Sequence, residues 1–307
     1  MAFSIRTDMA KELREINPDT SGVEENNEQR GEIELTRIRL VTDEAAEHYG
    51  KQKGNYITIE APELANRPLE LFEEVSDCIK EELTKLLGDI NENSMILVVG
   101  LGNRDVTPDA LGPRVIEKVY VTRHIKQLLP EALDSGVCAM CAIAPGVLGV
   151  TGIETLELIR GAVEHVKPDV VIAVDALASR RAARISTSVQ LSDTGISPGS
   201  GVGNKRSGIS FETLGCKVIA IGVPLVVYAA TVVKDTLDLM ADELGKHEDE
   251  QELKSLAEQV ISAKMGEMIM TPKDIDIMVE DMSGIIADGI NKALYKESYD
   301  SVMSLTT

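Results

Sequence analysis

Hydrophobic and polar positions alternate in two short stretches of the first third of the chain. The stretch IELTRIRL at 33–40 is apolar at nearly every second position, and NYITIEA at 55–61 has a similar pattern. This alternation is typical of half-buried strands, so we predict two strands that form an antiparallel pair. Apolar residues then recur with helical spacing at 69–87, and Gly88 follows where helices commonly end. We therefore predict a long helix over 69–87.

From residue 95 onward, short apolar runs alternate with helix-like stretches. The runs are rich in Val, Ile and Ala, as expected for strands buried on both faces of a sheet. Strands that alternate with helices in this way usually belong to right-handed βαβ units. We therefore predict an α/β fold with a mostly parallel sheet flanked by helices. The predicted strands span 95–100, 137–143, 169–176 and 217–224, and the predicted helices span 152–166, 225–244 and the stretch from after Pro108 to about Thr122.

The two ends of the chain differ from this central part. Residues 1–31 are polar and rich in Glu and Asn, which predicts a loop or a disordered arm ahead of the N-terminal strand pair. From about residue 250, two helical patterns are separated by TPKD, where Thr271 suits a helix cap and Pro272 a first helical position. We predict an N-terminal arm over 1–31, a single α/β domain over 32–307, and a helical C-terminal tail within it.

Composition and charge exclude several classes of function. The 307 residues carry a net charge of −20, which repels phosphate backbones and anionic membranes, so we expect no stable nucleic-acid binding. No apolar run is long enough for a membrane span. The four cysteines form no disulfide framework, and one CxxC pair, Cys138 and Cys141, without a second ligand pair predicts buried thiols and no zinc site.

Polar residues follow the predicted strands at the edge where parallel sheets bind ligands. Asp175 comes directly after VVIAV, where an ionised carboxylate is costly unless it is paired. Asp175 could instead cap a helix that starts near Ala176, and the acids after the first strand could be turn or early-helix residues. The residues that follow the first strand are Gly100, Gly102, Asn103, Asp105 and Asp109.

Two acids at the ends of two parallel strands could meet in one cleft. Such a pair shares a proton, because close carboxylates cannot both ionise easily. One carboxylate can then take a proton from water while the other protonates a carbonyl oxygen or a leaving group, as in an acid–base hydrolase. The sequence pattern alone leaves open whether Asp105 or Asp109 joins Asp175. A nucleotide- or anion-binding module at Gly100–Asn103 is a rival, although the acids oppose it electrostatically.

A glycine-rich loop lies between two of the predicted strands. The stretch DTGISPGSGVGNKRSG at 193–208 lacks the pattern of a phosphate-binding Walker loop. We expect it either to cover a substrate or to be a solvated surface loop, with its cations contacting an acidic substrate residue. The candidate binding residues in it are Asp193, Gly201, Gly203, Asn204, Lys205 and Arg206.

Several long motifs are spread over nearly the whole chain. They are IRTDMA (5–10), VVGLGNRDVTPDALGPRV (98–115), TRH (122–124), APGVLGVTGIET (144–155), KPDVVIAVDALASR (167–180), SDTGISPGSGVGNKR (192–206), IAIGVP (219–224) and MTPKDID (270–276). These motifs resemble those of the germination proteases of spore-forming bacteria. The resemblance implies a fold related to hydrogenase-maturation endopeptidases and an aspartic-type activity, with the catalytic acids at Asp109 and Asp175.

The resemblance also implies a biological role. Members degrade small acid-soluble spore proteins during germination, act in the spore interior, assemble as homotetramers and remove their own N-terminal segment. They cleave after an acid that is followed by an apolar residue and Ala, which predicts a pro-segment 1–8 and self-cleavage between Asp8 and Met9. This pro-segment and the stretch before MTPKD are both shorter than expected for the family.

The related maturation proteases bind a metal through two acids and a histidine. Asp109 and Asp175 would correspond to the acids. The resemblance places the histidine near IAIGVPLVVYAA at 219–230, but this stretch contains no histidine. We therefore favour a pair of aspartates that works without a metal or other cofactor. A metal-dependent peptidase that uses the same acids is the alternative.

Overall fold

The computed structural model describes residues 7–18, 20–197, 208–233, 236 and 268–306. Within these residues, nine strands form one sheet in the order β1-β2-β3-β7-β8-β6-β4-β5, with β9 paired to β8. The strands are β1 (Val23–Arg30), β2 (Ile33–Leu40), β3 (Gly54–Glu60), β4 (Met95–Gly100), β5 (Ala139–Ile143), β6 (Val170–Ser179), β7 (Ser188–Ser192), β8 (Lys217–Tyr228) and β9 (Ile269–Met270).

The predicted α/β fold class is confirmed, and the sheet is mixed. Strands β5, β4, β6 and β8 are parallel to one another, as expected for βαβ units. The predicted pair β2–β3 is antiparallel and continues the same sheet through β7, which joins β3 to β8. The N-terminal strands are therefore an antiparallel extension of the parallel part.

Helices cover both faces of the sheet. Alternate residues of a strand point to opposite faces, so each buried strand contributes side chains to a core on either side. On β4, Ile96 and Val98 face the larger core beneath the helices α3 (Leu69–Leu87) and α9 (Ile275–Tyr295), whereas Leu97 and Val99 face a smaller core that includes Ile159 of α7 (Thr155–Val166). The helices are α1 (Ala10–Ile16), α2 (Asp43–Tyr49), α3 (Leu69–Leu87), α4 (Leu111–Ile116), α5 (Arg123–Leu128), α6 (Leu148–Thr151), α7 (Thr155–Val166), α8 (Phe211–Leu214), α9 (Ile275–Tyr295) and α10 (Tyr299–Thr306). None of the described helices is both long and apolar enough to cross a bilayer.

Four predicted helices have different bounds in the structure, and the one predicted at 152–166 begins at Thr155. The helix predicted from after Pro108 to about Thr122 ends with α4 at Ile116, and by Thr122 the backbone amide donates to the carbonyl oxygen of Met140. Residues 225–228 of the helix predicted at 225–244 extend β8, Val227 and Tyr228 pair with β9, and the described chain becomes helical at residue 229. The late helix starts at Ile275 and not at Pro272, and the Thr271 hydroxyl donates to the carbonyl oxygen of Leu225.

The prediction of a loop or disordered arm up to residue 31 is wrong for residues 10–16 and 23–30, which form α1 and β1. The sequence of β1, VEENNEQR, has no apolar alternation because this edge strand carries polar side chains on both faces. Its ladder of hydrogen bonds to β2 holds it in place. Cys138 is fully buried and Cys141 partly so, and both are free thiols, as the sequence predicts.

Candidate active site

Asp175 lies within β6, near the carboxyl end of the parallel strands. It pairs with Gly222 of β8 and is only 5% exposed. Its Oδ1 accepts a hydrogen bond from the Ala176 amide at 2.9 Å. The alternative that Asp175 caps a helix is wrong, because β6 continues through Ser179 and residues 176–179 pair with β8.

Asp109 is fixed by the loop that leaves β4. The Asn103 amide donates to Asp109 Oδ2 at 2.8 Å and to its carbonyl oxygen at 3.0 Å. Asp109 closes a 3₁₀ turn over Thr107–Asp109, so it precedes α4 rather than forming part of its first turn. Gly102 permits this arrangement: its φ is +109°, and a Cβ on it would lie 2.0 Å from the Asp109 carbonyl oxygen.

The two acids line one cavity of about 820 Å³. The Leu101 amide donates to the carbonyl oxygen of Val174 at 2.8 Å, so the chain that leaves β4 runs beside Asp175 at this point. Gly102 follows, and its backbone packs closely against Asp109. Parallel strands thus bring together two carboxylates that are distant in sequence, as the sequence predicts for this edge of the sheet.

The segment that contains Asp8 also lines this cavity. Its amide donates to the carbonyl oxygen of Ala178 at 2.9 Å, and its Oδ2 accepts from the Ala178 amide at 2.9 Å. Met9 and Ala10, which follow, have no exposed surface. The peptide bond predicted to be cut is therefore held in a defined position at the cavity that the candidate acids line.

Two polar residues that the sequence did not single out contact the same segment. Lys51 Nζ donates to the Asp8 carbonyl oxygen at 2.8 Å, and Gln190 Nε2 donates to it at 3.1 Å. Burial lowers the pKa of Lys51, and the nearby charge of Asp8 opposes that shift. Lys51 also lies over the ring of Tyr56, whose pKa burial raises to about 12. Lys51 lies in a polar turn and Gln190 in a short strand, so neither local pattern marks a site.

The structure separates the other predicted binding residues. Gly102 and Asn103 line the cavity, whereas Gly100 is buried in β4, where a Cβ would lie 2.2 Å from the carbonyl oxygen of Gly112. Asp105 is exposed, and its amide closes a turn on the Asn103 side chain. The Asp193 carboxylate accepts hydrogen bonds from the amide and the side chain of Asn55, so it fastens the start of β3.

The glycine-rich loop begins and ends at the rim of the cavity. Ile196 and Ile209 exchange backbone hydrogen bonds of 2.9 and 2.7 Å, and their neighbours Gly195, Ser197 and Gly208 line the cavity. Five predicted binding residues of this loop lie outside the described residues: Gly201, Gly203, Asn204, Lys205 and Arg206.

No group of three or more His, Cys, Asp or Glu side chains with metal-binding geometry occurs in the part of the chain that the structure describes. The groups that line the cavity include Asp109, Asp175, Lys51, Gln190 and the backbone of the segment at Asp8. Acid–base catalysis needs one group that takes up a proton and one that delivers it, and two carboxyl groups are able to do this.

Comparisons of the sequence with known proteins show which family the chain belongs to. A family profile described as germination protease matches residues 2–256 and 245–305. The chain is 43% identical to a germination protease of Clostridium acetobutylicum and 44% identical to one of Caldanaerobacter subterraneus, over 95% and 96% of this chain and 95% of each relative. It is 39% identical to the germination protease of Bacillus subtilis, over 96% of this chain and 94% of that protein. The chain therefore belongs to the germination protease family of peptidases.

Proposed function

We propose that this chain is an aspartic-type endopeptidase in which Asp109 and Asp175 activate a water molecule. The observation that carries the proposal is that the two carboxylates line one cavity together with Asp8, whose backbone amide is hydrogen-bonded to β6. Two acids in one cleft share a proton, which leaves one as a base and the other as an acid near neutral pH.

The reaction follows from these two roles. One carboxylate takes a proton from water as the water oxygen bonds to the peptide carbonyl carbon, and the other carboxyl gives its proton to the carbonyl oxygen. The tetrahedral intermediate then collapses: the C–N bond breaks, and the nitrogen takes up a proton from the first acid. The products are a new carboxyl group and a new amine, and the second carboxyl regains its proton from the intermediate.

The proposed substrates are small acid-soluble spore proteins, degraded during germination in the spore interior. Support comes from the relatives, which are named germination proteases, and from the resemblance of the sequence motifs. A metal-free mechanism remains our proposal, in line with the absence of histidine from residues 219–230.

The chain is also proposed to be made as a zymogen that cuts its own Asp8–Met9 bond. Residues 1–8 would form the pro-segment, and residues 9–307 the processed enzyme. The position of Asp8 at the cavity that contains Asp109 and Asp175 supports this proposal. Assembly as a homotetramer is proposed from the resemblance, and light scattering should then give a mass about four times that of the chain.

The test of the proposed chemistry replaces each acid with its neutral isostere. Asp109→Asn and Asp175→Asn should each abolish cleavage of a peptide that carries Asp, an apolar residue and Ala, because neither amide can accept or deliver the proton. Asp105→Asn is the matched control, since that acid is exposed and binds within its own turn. Full activity of Asp109→Asn or Asp175→Asn would refute the proposal. Loss of wild-type activity on chelation, with stoichiometric bound metal, would favour the metal-dependent alternative.

A further inference from the structure

Strand β6 extends beyond the end of its neighbour β4. The last residue of β4, Gly100, pairs with Val174, and the Leu101 amide makes the final bond to the Val174 carbonyl oxygen. Strand β6 runs on to Ser179 and remains paired with β8 on its other side. Alternate residues of a strand direct their backbone groups to the same side, so Ala178 points its N–H and C=O toward the edge that β4 has left.

This edge holds the residue that precedes the proposed cleavage bond. The backbone of Asp8 donates to the Ala178 carbonyl oxygen, as an added strand would. The Ala178 amide donates not to a backbone oxygen of the segment but to the Asp8 carboxylate, at 2.9 Å. The carboxylate of an acidic residue thereby accepts the hydrogen bond that a partner strand would otherwise accept from the Ala178 amide. The edge should for this reason bind an acid at this position in preference to a residue without a carboxylate.

The carbonyl oxygen of Asp8 accepts two hydrogen bonds from side chains. One comes from Lys51 Nζ at 2.8 Å and the other from Gln190 Nε2 at 3.1 Å. This oxygen belongs to the Asp8–Met9 peptide bond and would gain negative charge as water adds to it. Two donors aimed at such an oxygen stabilise the charge that develops there.

Gln190 lies in register with Asp175 across the sheet. Both residues pair with Gly222, one from each side, and their side chains therefore share a face of the sheet. Gly222 has no side chain to separate them. Gln190 and one of the proposed catalytic acids thus lie on the same face of the sheet, and both line the cavity, as Lys51 does.

The residues after the bond also have matching environments. Met9 has no exposed surface, as expected for an apolar side chain held inside the protein. Ala10 is buried in a small apolar cluster with Ile38, Leu40 and Tyr49, and its amide donates to Gln190 Oε1 at 2.7 Å. One side chain, Gln190, therefore contacts the backbone on both sides of the bond.

We propose that the open edge of β6 at Ala178, together with Lys51 and Gln190, forms the binding site for the acidic residue and the carbonyl group that precede the cleaved bond. The site serves both the chain's own segment, in which Asp8 bonds to β6 and α1 begins two residues later, and substrate proteins, whose acidic residue would bind the same edge. This inference rests on the proposed peptidase function and specifies which residues select the substrate.

The test uses the full chain with Lys51→Met and Gln190→Leu. Both should slow self-cleavage at Asp8–Met9 and cleavage of an Asp-apolar-Ala peptide by about 100-fold, as expected when a donor to the reacting oxygen is removed. Lys51→Arg should recover part of the loss, because it keeps a cationic donor. Lys53→Met is the matched control in the same loop, since Lys53 is half exposed and pairs with Asp43 outside the cavity. Equal thermal midpoints exclude misfolding as the cause.

A second measurement needs no catalysis. Asp8→Ala should speed hydrogen exchange at the Ala178 amide about tenfold or more, whereas Asp8→Glu should keep much of the protection. Peptides with Asn in place of Asp should show a raised KM. If the wild type cleaves the peptide and Lys51→Met and Gln190→Leu cleave it at the same rate, the proposed binding site is refuted, whereas the proposed peptidase function is not. If the wild type cleaves no peptide, the proposed peptidase function is refuted. Unchanged hydrogen exchange at the Ala178 amide in Asp8→Ala would then refute the binding site as well.

Discussion

Gly102 is the position at which one added methyl group should disable the site. Its φ of +109° lies where residues with side chains are rarely found, and alanine there costs about 1–3 kcal/mol. A Cβ on Gly102 would lie 2.0 Å from the Asp109 carbonyl oxygen and 3.1 Å from its Oδ1. Relief of the closer contact requires the Asp109 backbone to move by about 1 Å, and a shift of about 1 Å in catalytic geometry can cost about 100-fold in rate.

The assay is the kcat/KM of Gly102→Ala on a peptide that carries Asp, an apolar residue and Ala. We expect a loss of about 100-fold, with a fall in the thermal midpoint that leaves the protein folded at 25 °C. Gly161→Ala is the control, since Gly161 lies in α7 and a Cβ there meets nothing within 4 Å. Wild-type kcat/KM in Gly102→Ala would show that the loop does not need this glycine to position Asp109.

Three further predictions concern the stability of the fold. Arg184→Met should lower the free energy of unfolding by about 3–5 kcal/mol in denaturant titrations, because it removes the cation that pairs with the buried Glu12 carboxylate and leaves Glu60 with Lys11 alone of its two cations; a loss below 1 kcal/mol would contradict this. Burial alone raises the pKa values of Glu60 and Glu82, but hydrogen bonds from Arg and Lys outweigh it and lower both. Their stabilisation is therefore complete above the unfolded-state pKa of about 4.3 and is lost as pH falls through the lower folded-state values, so unfolding free energies measured from pH 6 to 3 should decline below about pH 5; a flat profile would refute it. Burial raises the pKa of Cys138 to about 11, so mass spectrometry after alkylation at pH 8 should find this thiol modified only in denatured protein.

The sequence predicts those elements whose pattern is local. Strand β2 and helix α3 have the predicted bounds, because each alternation or helical stripe reports directly on one buried face. Strand β1 was missed because its order comes from pairing with β2 and not from apolar side chains. The segment DALAS after Val174 contains good helix formers, and its strand conformation depends on the pairing with β8.

The same distinction holds at the site. Asp109 follows β4 and Asp175 lies near the carboxyl end of β6, so a general rule about parallel sheets predicts that both line one cleft. Lys51 and Gln190 reach the site through contacts with Asp8, which is 43 and 182 residues away in the chain. Neither contact leaves a local signal, since a lysine in a polar turn and a glutamine in a strand are common in any soluble domain.

The N-terminal mass of the purified chain over time tests the central claim most directly. Wild type should convert to a chain that begins at Met9, with a single cut after Asp8, whereas Asp109→Asn and Asp175→Asn should keep the full-length mass under the same conditions. Addition of a trace of processed wild type to the variants separates cutting within one molecule from cutting between molecules. Conversion of either pure variant at the wild-type rate would contradict the assignment of Asp109 and Asp175 as the catalytic pair.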